Sequence, residues 1–256
     1  MIRKAIFTFI LVFVLAAFLF IGFDNDNEAE GNNVDLKEDE INSVEDQEKQ
    51  EPKIVQESDP VKNEVKPKNV PLINQLDNPR LYNGCEITSL AMLLQYNGFD
   101  VTKNELADKV KKVPLNYENG LKGDPNEGFV GNMEDGPGLG VYHEPVYELA
   151  RSYAGNRVTD LSGRDLNEMY KELSKGNPVW VITTADFTQV DDIEQWETPN
   201  GKVEITYSVH SVVVTGYNKK RVFVNDPYGY KNRKVDRAPF EKSLNQLGKQ
   251  MMVIHQ

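Results

Sequence analysis

The chain has 256 residues, with 40 Asp or Glu against 29 Lys or Arg, three His and a single Cys. A net charge of −11 without a basic patch interleaved with aromatics excludes a nucleic-acid-binding surface. One cysteine excludes an internal disulfide, and three histidines with one cysteine at these spacings match no zinc pattern, so neither a metal nor a cofactor is expected.

Residues 5–23 form an apolar run behind Arg3 and Lys4 and ahead of Asp24, Asp26 and Glu28. That length suffices to cross a bilayer, and the flanking charges place the N-terminus in the cytoplasm and the rest outside. The alternative is a cleaved secretory signal, but no clear small-x-small site precedes Asp24. A lipid anchor is excluded, because the only cysteine is Cys85. The segment thus reads as an uncleaved single-pass anchor in the cell membrane, with the remainder extracytoplasmic. Residues 24–69 carry fifteen Asp or Glu, six Lys and no aromatic residue, the composition of a disordered acidic stalk. Residues 70–256 hold nearly all the remaining aromatics and have the length of one domain.

Within the domain, a short extended stretch at 70–75 leads through a polar loop, 76–83, to Gly84 and Cys85. Ile87, Leu90, Ala91 and Leu94 then recur on one helical face until Asn97-Gly98 ends the helix. Thr102 and Glu105 have capping-box spacing ahead of a second helix that stops at Pro114. Residues 117–141 contain seven glycines and two prolines, too irregular for an ordinary connection and of the kind that often carries function. Further helices are predicted over 144–153 and 165–175. From Pro178 the pattern changes to β-branched runs at 179–184, 195–198, 202–207, 209–217 and 221–225, read as consecutive antiparallel strands, before a last helix at 239–247 and a strand at 250–255. Helices first and an antiparallel sheet second is an α+β arrangement.

Cys85 stands where a loop becomes a helix, so free N–H groups and the helix dipole favour its thiolate. A buried filler cysteine is the alternative, though such a residue belongs within the apolar stripe rather than ahead of it. Of the three histidines, His255 is penultimate, and His143 follows the glycine-rich stretch as either a backbone-bonded loop residue or a substrate contact. His210 lies in a strand, on the face of Val212 and Val214. Whatever the length of the turn near 218–220, antiparallel pairing brings Asp226 within about two positions of His210. The three residues read as nucleophile, base and orienting acid, with the sulfur about 3–4 Å from a ring nitrogen of His210.

The segments VPLINQ, GCEITSLAMLLQYNG, GDPNEGFVG and SVHSVVVTGYNKKRVFVNDPYG resemble the bacterial papain-like peptidases related to the bacteriocin-leader-processing peptidases, cysteine peptidase family thirty-nine. The likeness runs from about residue 70 to the C-terminus and shares the order Cys, His, Asp. It implies a papain-like fold with helices packed on the sheet, and those roles for Cys85, His210 and Asp226. It adds Gln75 as an oxyanion donor beside the Cys85 backbone N–H, and it implies that part of residues 120–143 lines the pocket, with Phe129, Tyr142 and His143 as substrate contacts. Many relatives carry Cys-Gly-Pro where this chain has Cys85-Glu86-Ile87, which puts a carboxylate beside the thiolate. Leader-processing relatives are also fused to a transporter, so leader cleavage is not the expected task. The expected function is hydrolysis of peptide or isopeptide bonds by a monomer whose partners are a peptide or protein substrate and, through its N-terminus, a membrane. The alternatives are a thiol-dependent amidase or acyltransferase acting on cell-wall peptides, and a catalytically silent peptide-binding module.

Overall fold

Residues 61–256 are described by a computed structural model; the expected anchor at 1–23 and the stalk as far as residue 60 lie outside them. Among the described residues no helix is long and apolar enough to cross a membrane. In chain order the elements are α1 (Cys85–Tyr96), α2 (Lys103–Lys109), β1 (Lys112–Val113), β2 (Phe129–Gly131), β3 (Gly138–Gly140), α3 (His143–Ala154), β4 (Val158–Asp160), α4 (Leu166–Lys175), β5 (Val179–Thr184), β6 (Glu194–Thr198), β7 (Gly201–Ile205), β8 (Val209–Tyr217), β9 (Arg221–Asp226), β10 (Tyr230–Asp236), α5 (Arg237–Gln246) and β11 (Met251–Ile254).

The helix ends obey local chemistry. Thr102 accepts from the N–H of Glu105, whose carboxylate takes the N–H of Thr102 in return, so two unpaired donors at the start of α2 are satisfied together. Asp165 caps α4, and Gly176 closes it in the left-handed conformation.

The main sheet has six antiparallel strands in the order β10-β9-β8-β5-β11-β4. Its central strands alternate between two cores. Trp180, Ile182, Val213 and Met252 face the core of α1, α2 and α3, whereas Val179, Val181, Val212 and Val214 face that of α4 and α5, with Met169, Tyr170, Phe240 and Leu244. Each such side chain contributes about 1.5–3 kcal/mol by leaving water, which makes the strand register hard to shift. The sheet is therefore covered by helices on both faces, and the fold is the α+β papain-like arrangement.

Three features differ from the sequence reading. β6 and β7 do not enter the main sheet; they form a separate ribbon, and β5 pairs directly with β8. The ribbon is polar on its exposed positions; of its buried residues Trp196, Thr198 and Ile205, the two apolar ones pack against Val130 and Leu139. Residues 112–140 contribute a small sheet in which β2 and β3, from the glycine-rich stretch, join β1 just ahead of it. The domain also begins before residue 70: Val65 exchanges backbone hydrogen bonds with Tyr217, and Lys68 N–H donates to Thr215. Gly216 permits that crossing, since a Cβ there would collide with the Val65 carbonyl and Pro67 nitrogen.

Candidate active site

Cys85 opens α1 and is buried, at 7% exposure. Its N–H is one of the first-turn donors that have no intrahelical acceptor. The helix start is pinned from several sides. Gly84 lies against Leu81 and Met133 with no room for a side chain, Trp180 Nε1 donates to the Glu86 carbonyl at 3.0 Å, and Ser89 Oγ donates to the Ser211 carbonyl at 3.0 Å. The preceding loop is held by Lys103, whose ammonium donates to the Asp77 and Pro79 carbonyls, and by Asn83, whose N–H donates to Met133 O.

β8 and β9 pair with Val213 opposite Asn225, which puts Asp226 two positions along the ladder from His210. The side chains meet: His210 Nε2 lies 3.0 Å from Asp226 Oδ1, and both residues are fully buried. With the carboxylate accepting from Nε2–H, Nδ1 is the basic nitrogen of a neutral ring. It is buried and has no hydrogen-bond partner.

Asp226 is more completely held than the sequence suggested. Oδ1 also accepts from the Tyr228 N–H at 3.0 Å, and Oδ2 accepts from Arg233 Nη1 at 2.8 Å. Burial alone would raise its pKa, but the bond and charge of His210, with Tyr228 and Arg233, outweigh burial and hold the carboxyl below the usual aspartate range. Aromatic rings fix the imidazole plane: Tyr228 stacks on it at 4.7 Å between centroids, and Phe187 meets it edge-on at 6.2 Å. Arg233 lies over Phe187 as well, 4.8 Å from the ring centroid.

The thiol does not close onto the imidazole. No hydrogen bond joins the sulfur to Nδ1; the Ser211 N–H bears on the sulfur instead and favours the thiolate. Burial, and then the carboxyl of Glu86, nevertheless push the thiol well above its ordinary value. Base and nucleophile nonetheless stand on adjoining elements, since α1 packs against β8. Apo sites commonly hold such pairs loosely.

Gln75 is buried, and its Nε2 donates to the Tyr82 carbonyl at 2.8 Å. That bond orients the amide and leaves a second N–H on Nε2, while Oε1 has no partner. The Gln75 N–H donates to the Pro227 carbonyl at 2.8 Å, tying this residue to the turn that follows Asp226.

The glycine-rich stretch meets the site at its end. The Val141 N–H donates to Glu86 Oε1 at 3.3 Å, and Gly140 packs on the same oxygen. Phe129 is a correction: its side chain is fully buried in the core under α1 and α2, so it presents no surface to a ligand. Tyr142 donates to the Glu204 carbonyl at 2.6 Å, and His143 is held by Gln250, through its N–H at 2.9 Å, and by Asp160 at 3.5 Å. Tyr142 and His143 line a cleft of about 460 Å³ whose lining includes none of Cys85, His210 and Asp226. His255 bonds Thr159 at the far edge strand. Among the described residues no cluster of His, Cys, Asp or Glu could hold a metal.

Sequence reasoning missed Arg233, Tyr228 and Phe187. Tyr228 had a signal, since Asp-Pro-Tyr-Gly is a turn that keeps its third residue near its first. Arg233 had none, because it reaches Asp226 only through an extra residue in β10, between Tyr230 and Arg233.

Comparison with known proteins agrees with this architecture. The family described as Peptidase_C39 like family matches residues 67–252. The uncharacterized protein YvpB of Bacillus subtilis (strain 168) is 63% identical over 194 residues, 76% of this chain and 78% of its own. A crystal structure assigned as a C39-like peptidase from Bacillus anthracis superposes with a TM-score of 0.73 at 44% identity, covering 76% of this chain and 98% of that one. Xylellain, a cysteine protease from Xylella fastidiosa, aligns at a TM-score of 0.41 and 13% identity over 77% of this chain and 87% of its own, too loose a likeness to carry an argument. With residues 67–252 matched and the fold shared, the chain belongs to the C39-like peptidase family.

Proposed function

We propose that this chain is an extracytoplasmic cysteine peptidase that hydrolyses peptide or isopeptide bonds, with Cys85 as nucleophile, His210 as base, Asp226 as orienting acid and Gln75 as oxyanion donor. The observation that carries the reading is the buried His210–Asp226 pair at 3.0 Å, which leaves Nδ1 unpartnered on the strand that lies against the thiol-bearing helix. A buried imidazole nitrogen without a partner costs about 1–3 kcal/mol and is retained where a reaction uses it.

In this mechanism Nδ1 takes the proton of Cys85 as the sulfur attacks the scissile carbonyl carbon. Asp226 stabilises the resulting imidazolium through Nε2 without taking its proton. The oxyanion is met by the Cys85 N–H and the second N–H of Gln75, a pair whose individual members are each typically worth about 3 kcal/mol. His210 then protonates the departing amine, the C–N bond breaks, and a thioester remains on Cys85. Water attacks that thioester with His210 as base, releasing the acid and restoring the thiol. The apolar run at 5–23 supports an anchored, extracytoplasmic placement, and the peptide or protein substrate would approach from outside.

The test is incubation with a diverse peptide mixture, with mass analysis of products and of the intact protein. Cleavage by the natural chain, abolished in Cys85→Ala, is expected, with a thioester mass on Cys85 after an acid quench. Cleavage that survives Cys85→Ala would overturn the reading.

A further inference from the structure

Glu86 directly follows the nucleophile, yet its carboxyl is fully buried. Oε1 accepts from the Val141 N–H at 3.3 Å, the carboxyl is also met by its own backbone N–H and by the Cys85 thiol, and Oε2 lacks a well-aligned partner. Among the described residues no lysine or arginine forms an ion pair with it. β3 closes over the group through Gly140, at φ +135°, where any Cβ would collide with Oε1. The side chain bears on the Cys85 thiol. Other titratable groups around it are Tyr142, from the entry to α3, and Tyr228, from the β9–β10 turn, with His210 at the near end of β8. None of these supplies a positive charge at neutral pH unless His210 is protonated.

A carboxylate enclosed in this way, unpaired and beside a nucleophile, is poorly placed to stay ionised. We propose that Glu86 is a positioning residue that works as a neutral acid: protonated, it lets Cys85 form the thiolate, and ionised, it holds the sulfur as thiol. Burial pushes the Glu86 carboxyl up to about 7, so the exchange falls in the neutral range. The two groups then titrate as a coupled pair rather than independently. The proposal rests on the peptidase reading only for its consequence, which is that ionisation of Glu86 stops the reactive thiolate from growing as pH rises through neutrality. The charge coupling itself is independent of any substrate.

The experiment uses the full chain and the rate of Cys85 alkylation by iodoacetamide between pH 5 and 10, read by intact mass. As the sole cysteine, Cys85 gives an unambiguous signal. The wild-type rate is expected to rise with pH, flatten into a shoulder near neutrality as Glu86 ionises, and rise again. Glu86→Gln should give a single step displaced to lower pH by about 1–2 units, corresponding to about ten- to a hundredfold faster alkylation above the shoulder. Superimposable single-step profiles for the two proteins would overturn the proposal. Should the variant not fold, the wild-type profile alone decides, because absence of the shoulder also overturns it. The peptidase reading fails separately, if His210→Ala leaves the same profile unchanged.

Discussion

Replacing Glu86 with Gln keeps the shape of the side chain and removes its proton equilibrium, so the pH dependence of stability isolates what that buried carboxyl contributes. Folding raises its pKa from an ordinary 4.5 to about 7, because burial disfavours the carboxylate. The folded value lies above the unfolded one. Its contribution is therefore fully present below about pH 4.5 and is lost as pH rises through about 7. At about 1.4 kcal/mol per unit, the loss on full ionisation is on the order of 3 kcal/mol. Glu86→Gln has no such titration. Its stability relative to wild type, from urea unfolding at intervals between pH 4.5 and 8.5, should start from a constant offset and grow by about 3 kcal/mol in the variant's favour. For a domain of this size that corresponds to roughly 6–12 °C in Tm. Parallel stability curves for the two proteins would refute the reasoning and mean that Glu86 reaches solvent or a cation when ionised.

Other perturbations test the rest of the site. Asp226→Ala should lower kcat by about two powers of ten less than Cys85→Ala or His210→Ala, since it orients and does not react; equal losses in a peptide-cleavage assay would contradict that role. Arg233→Gln leaves a fully buried carboxylate oxygen without its donor and should cost about 1–2 kcal/mol, the lower part of the usual range because the guanidinium is 40% exposed. The same variant should move the acid limb of activity to higher pH, as Asp226 becomes easier to protonate, and an unmoved limb would count against it. Gly140→Ala forces a Cβ onto Glu86 in a conformation that favours glycine and should destabilise by roughly 1–3 kcal/mol in thermal unfolding. A change within about 0.5 kcal/mol would show that the closure over Glu86 is loose.

The elements nearest the chemistry were legible in the sequence because each is set by local patterns. The apolar stripe from Ile87 to Leu94, the Thr102–Glu105 cap and the Val-rich run beside His210 are short-range features. A hairpin's turn fixes its register to within a residue or two, so Asp226 could be placed near His210 by counting, although an irregularity between Val214 and Gly216 shifts the ladder by one. What could not be read depends on departures from regular pairing or on burial. Arg233 reaches Asp226 through the bulge in β10, where Asn232 takes φ +49°, and no alternation pattern encodes that. Phe129 lies between glycines and looked like a loop aromatic, yet β2 pairs with β1 and β3 and turns the ring into the core. Glu86 read as a charge beside the thiolate, since nothing local announces that Gly140 and Val141, more than fifty residues away, enclose it.

The central claim, that Cys85 is a nucleophile activated by His210, is tested most directly by a peptidyl electrophile with a thiol-reactive group, applied at neutral pH and followed by mass mapping. Stoichiometric modification of Cys85 is expected, slowed at least about a hundredfold in His210→Ala through loss of the base. Modification at an equal rate in wild type and His210→Ala, or none in wild type, would contradict it.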